Sequence, residues 1–162
     1  MPFHRFLAAF VLLCAFSVLS ACGGGDSAGT GTASVVPLAN STITVSAAAG
    51  AQAPNNGAKT VGTVTATVTA ASGSTFTNVV GTLEAGRGRL SLVYDTNTSA
   101  VTDVSLELGS PTDAAYLSGV CGPCAGVTVN TTTKSIAFVN TVVTDGNTPP
   151  AALATLNGTL SY

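Results

Sequence analysis

Apolar and hydroxyl side chains alternate along this chain with a period of two, a period that places successive residues on opposite faces of a strand. Ile43 and Val45 alternate with Thr42 and Thr44, and Val64, Ala66 and Val68 alternate with Thr63, Thr65, Thr67 and Thr69. Leu90, Leu92 and Tyr94 share one face, as do Val104, Leu106 and Leu108. Ile136, Phe138 and Val142 are expected on one face, with Asn140 as a polar intruder, and Ala137, Val139, Thr141 and Val143 on the other. Leu156, Leu160 and Tyr162 keep the same period, with Gly158 among them. So many β-branched residues in alternation call for half-buried antiparallel strands. No stretch of helical length sustains a 3.6-residue period; Ala114 to Ser118 offers one helical turn at most.

Turn chemistry punctuates the pattern. Pro54-Asn55-Asn56-Gly57, Ser72-Gly73-Ser74, Asp95-Thr96-Asn97-Thr98 and Asp145-Gly146-Asn147 fall at intervals that suit hairpins. Tyr94 to Thr98 and Val129 to Thr133 each read as a strand entering an Asx-led turn, an echo too short for a solenoid. The expected fold is all-β: an antiparallel β-sandwich or small β-barrel of about eight or nine short strands. A transmembrane barrel is disfavoured. Beyond the leader the aromatics are only Phe76, Tyr94, Tyr116, Phe138 and Tyr162, too few for two interfacial girdles, and Thr or Ser lines one face of several strands.

The first 21 residues differ in kind. His4 and Arg5 precede an apolar run from Phe6 to Leu19, and small residues then lead to Cys22. A positive start, a run too short for a comfortable transmembrane helix and a small-residue end describe a secretory signal peptide. Leu19-Ser20-Ala21-Cys22 resembles the lipobox of bacterial lipoproteins. The resemblance implies that Cys22 becomes the first residue, carrying a diacylglycerol thioether and a third, palmitate-type acyl chain on its amine. It further implies a membrane partner reached through those chains. In Gram-negative lipoproteins Asp directly after the cysteine commonly retains the protein at the inner membrane. Here Gly23 holds that position, so the resemblance implies the outer membrane. Residues 22–40, rich in Gly, Ser, Ala and Thr, read as a flexible tether with a reach of roughly 25 Å. The expected organisation is a signal peptide over 1–21, a tether over 22–40 and one all-β domain over 41–162.

Charge is scarce, at 7% of residues. Past the leader, Lys59, Arg87, Arg89 and Lys134 face Asp26, Glu84, Asp95, Asp103, Glu107, Asp113 and Asp145, so the balance is acidic and no nucleic-acid partner is expected. The only histidine, His4, lies in the leader, which leaves the mature chain without Ser-His-Asp or Cys-His catalysis. Asp103, Glu107 and Asp113 are near enough in sequence for a carboxylate pair, but glycoside hydrolysis also needs a groove lined by aromatics. No phosphate-binding loop opens a helix.

Cys121-Gly122-Pro123-Cys124 resembles the active-site motif of thioredoxins, which implies thiol-disulfide oxidoreductase chemistry. That chemistry requires the first thiol at a helix N-terminus, and Ala125 to Asn130 read as a strand instead. The motif is therefore expected to be a structural disulfide that pins a loop between strands in an oxidising compartment. Two thiolates without histidine make a poor zinc site, and no metal or other cofactor is expected. Asp95, Asn97, Ser99 and Asp103 alternate as in a calcium loop, but Ala100 and Leu106 occupy the positions that need Gly and Glu, so a hairpin turn is expected. Gly86-Arg87-Gly88-Arg89 reads as a solvated turn whose charges protect a strand edge. The functional expectation is a lipid-anchored envelope protein with a non-catalytic structural, adhesive or binding role. The alternatives are a periplasmic ligand-binding domain and an oxidoreductase using Cys121 and Cys124.

Overall fold

A computed structural model of the chain describes residues 34–35, 41–71 and 73–162. The strands are β1 (Ser34–Val35), β2 (Thr42–Ser46), β3 (Gly57–Lys59), β4 (Val61–Ala71), β5 (Ser74–Leu83), β6 (Gly88–Asp95), β7 (Val101–Leu108), β8 (Leu117–Cys121), β9 (Val127–Asn130), β10 (Ser135–Thr144) and β11 (Ala152–Ser161). Every pairing is antiparallel. The all-β expectation holds, and the strands form one nearly closed, barrel-like sheet.

The reason lies in the pairing path. Neighbours run β4, β5, β6, β7, β8, β10, β11, β2 and β3. Only Thr60 separates β3 from β4, so the strand that begins by pairing with β2 goes on to pair with β5, and the ring comes round on itself. β8 and β9 lie end to end along one edge of β10, which pairs Thr144 with Val120 and Phe138 with Val127. With β3–β4 and β8–β9 each counted as one stave, the wall is an up-and-down meander of about eight staves, a size whose interior side chains can fill. The weakest seam is β8 against β10, which share a single register pair. Two residues within the expected tether, Ser34 and Val35, pair with Ala66 and Thr65 of β4.

The interior is packed. Ile43, Val45, Val64, Leu83, Leu90, Leu92, Tyr94, Leu106, Phe138, Leu156, Leu160 and Tyr162 are buried, and they come from almost every stave. Each fully buried leucine contributes on the order of 1.5–3 kcal/mol relative to an exposed one. Outward positions carry Thr44, Thr67, Asn78, Arg89, Glu107 and Thr128.

On β10 the expected faces are corrected beyond residue 138. Ile136 and Phe138 point inward as read, but Thr141 and Val143 are buried while Val142 is exposed. A bulge between Phe138 and Thr141 places Asn140 at φ 51 and shifts the alternation by one. The Asn157 side chain caps the bulge by accepting the Asn140 N–H at 2.8 Å. Across it, Gly158 holds φ +127, and a Cβ there would run into the Thr42 carbonyl oxygen. The expected helical turn at Ala114 to Ser118 is also corrected: turn structure ends before Leu117, which opens β8.

Strand directions sort the connections to two ends. The Gly50–Asn55 3-10 turn, the Glu84–Gly86 turn and loops 109–116 and 145–151 gather at one end. Residues 96–100 and 131–134 lie at the other, where Tyr162 N–H donates to the Lys134 carbonyl at 2.8 Å and Ser161 N–H to Ser41 Oγ at 2.9 Å.

Candidate functional site

The end that gathers the Gly50–Asn55 turn and loop 109–116 carries a cleft of about 460 Å³. Its floor and walls come from segments far apart in sequence, and backbone bonds hold them together. Glu84 N–H donates to the Thr60 carbonyl at 2.9 Å while Thr60 N–H donates back to Glu84 Oε1 at 2.8 Å. Gly109 N–H donates to the Arg87 carbonyl at 2.8 Å, and Asn55 Nδ2 reaches the Ala115 carbonyl at 2.6 Å. Ser110 N–H donates to Asp113 Oδ2 at 2.9 Å.

Charge concentrates here in a charge-poor chain. Lys59, Glu84, Arg87 and Asp113 all line the cleft, beside Pro54 and Leu108. Arg87 and Asp113 are exposed while Lys59 and Glu84 are half-buried, so charges of both signs face one open cleft. The rim is also strained. Glu84 and Ala85 have φ of 53° and 55°, left-handed values that side chains with a Cβ rarely adopt, and Gly86 follows at φ 90°. Such conformations cost of the order of 1–3 kcal/mol each and persist only where their surroundings hold them. The paired Thr60–Glu84 hydrogen bonds supply that hold.

The residues singled out by sequence are dispersed. Cys22 lies outside the described residues. Cys121 and Cys124 are joined as a disulfide with their Cα atoms 5.3 Å apart, in the break between β8 and β9. Cys121 ends a strand and heads no helix, so the geometry that activates a thioredoxin thiol is missing there. Asp95 behaves as a turn former. Its Oδ1 accepts the N–H groups of Asn97 and Thr98, each at 2.9 Å, and Asn130 Oδ1 accepts those of Thr132 and Thr133 in the same way. The backbone N–H groups of Thr98 and Asn97 hold the Asp95 carboxyl below its ordinary range. Among the described residues no group of three His, Cys, Asp or Glu could hold a metal ion.

The three candidate carboxylates do not converge. Asp103 and Glu107 lie four residues apart along the wall strand β7, while Asp113 sits in the end cleft. Arg89 pairs in register with Glu107 on the wall, whereas Arg87 turns into the cleft, so Gly86-Arg87-Gly88-Arg89 divides between two environments. Sequence reading missed the cleft because only Glu84 and Arg87 are close along the chain.

Together the meander wall and end cleft define a small antiparallel β-barrel protein. No family model matches the chain, and neither a curated protein nor a solved structure is similar to it.

Proposed function

We propose that this chain is a lipid-anchored cell-envelope protein whose barrel serves a non-catalytic binding or structural role, held by acyl chains on Cys22 at the outer membrane. The observation that carries the reading is the run Leu19-Ser20-Ala21-Cys22 at the end of a signal-peptide-like leader. Two acyl signals or more are needed for stable anchoring, because each buried methylene contributes about 0.8 kcal/mol and one chain binds only marginally. A wall bearing Thr, Asn, Arg and Glu suits a barrel standing in water beside the membrane. The filled interior favours a task performed on the barrel's surface over a ligand carried within it. Thiol-disulfide exchange is the weaker reading, since neither cysteine stands at a helix start.

Detergent phase separation tests the anchor. The wild-type chain should enter the detergent phase and Cys22→Ser should remain in the aqueous phase, with the mass of the N-terminal peptide reporting the acyl groups. Equal partitioning of the two forms overturns the proposal.

A further inference from the structure

We propose that the end cleft is a binding site for a small zwitterion of the amino-acid or short-peptide class, carrying one ammonium and one carboxylate. Lys59, Arg87, Glu84 and Asp113 line the same cleft, so it offers two cationic donors and two anionic acceptors to one ligand. Each carboxylate already spends one oxygen on the backbone, Glu84 Oε1 on Thr60 and Asp113 Oδ2 on Ser110, which fixes its position and leaves the second oxygen free. Lys59 and Arg87 supply donors and no acceptors. A ligand of one sign would meet repulsion from half of these groups, whereas a ligand of both signs satisfies all four. Its carboxylate goes to Lys59 and Arg87, and its ammonium goes to the free oxygens of Glu84 and Asp113.

The remaining chemistry agrees. Leu108 and Pro54 give the cleft apolar wall for a short side chain, and its volume of about 460 Å³ lies within the range of small-molecule sites. The rim at Glu84 and Ala85 is locked in a costly left-handed conformation, which keeps the acidic group in place before a ligand arrives. Binding here is independent of acylation. Only the cleft's orientation toward a membrane rests on the anchor reading.

The test uses the full chain, labelled with nitrogen-15 in detergent micelles, and three probes: dialanine, N-acetylalanine with only the carboxylate, and alaninamide with only the ammonium. Dialanine should produce saturable amide shifts at Thr60, Ala85, Arg87 and Gly109, and each single-charge probe should bind at least about tenfold more weakly. Glu84→Gln keeps an acceptor for Thr60 N–H and should weaken dialanine binding, while Lys134→Ala at the opposite end should leave it unchanged. Absence of saturable shifts, or N-acetylalanine binding as tightly as dialanine, overturns the zwitterion site. Phase partitioning is read separately, so failure here is distinct from failure of the anchor.

Discussion

The hydroxyls of Tyr94 and Tyr162 meet 2.6 Å apart inside the barrel, joining β6 to the residue that follows β11. Both residues are buried, with ring centroids 6.2 Å apart, and each phenol gives the other its hydrogen-bond partner. Removing one hydroxyl therefore leaves the other unsatisfied in an apolar interior. Tyr94→Phe and Tyr162→Phe should each cost about 1–3 kcal/mol, and the double variant should cost clearly less than their sum. Urea unfolding of the four proteins measures the cycle; additive losses would show that the hydroxyls do not act as a pair.

The same pair sets an alkaline limit. Burial, and then the hydrogen bond and charge interaction with Tyr94, raise the pKa of Tyr162 above its ordinary value of 10.0. An unfolded tyrosine ionises near pH 10, so above that point the unfolded chain holds fewer protons than the native one. Tyr162 should leave stability unchanged below about pH 10 and lower it as pH rises further. Urea midpoints taken from pH 8 upward should show this decline, reduced in Tyr162→Phe. A decline of equal steepness in that variant would assign it to other groups.

Thr141 is fully buried at the β10 bulge, and its hydroxyl has no hydrogen-bond partner among the described residues. Valine has nearly the same shape and no polar atom to desolvate. Thr141→Val should raise stability by about 1 kcal/mol, read as a higher urea midpoint at unchanged slope. A loss of stability would reveal a partner for that hydroxyl in solution.

The Cys121–Cys124 disulfide closes a very short loop, which removes little freedom from the unfolded chain. Replacing both cysteines with alanine should cost at most about 2 kcal/mol and leave the barrel folded. Alkylation of the unfolded, unreduced wild type should leave both residues unlabelled. Full labelling would show that the bond is not formed.

The wall of this barrel was legible in sequence along β6 and β7, though on β4 Val64 is buried and Val68, on the same apolar face, is exposed. Leu90, Leu92 and Tyr94 are buried as expected, as are Val104, Leu106 and Leu108. Reading failed at Asn140, because a bulge displaces every later side chain by one position and no residue type compels it. Asn157, whose side chain supports the bulge, lies on the next strand. The cleft was illegible for a related reason. Glu84 and Arg87 share a turn, but Lys59 and Asp113 reach it only when β3–β4 and the loop after β7 have been set in place by the closed ring. Local propensity carries no record of that closure.

Ring closure also governs the order in which the molecule can assemble. β2 is the first of the core staves along the chain, yet it mates with β11, the last, through pairs such as Val45 with Leu156. Hairpins from β4 to β7 can form by short searches, whereas this final seam must wait for nearly the whole polypeptide. Until then two bare margins stand open to other chains, so the slowest step in making the barrel is also the one that most needs shelter.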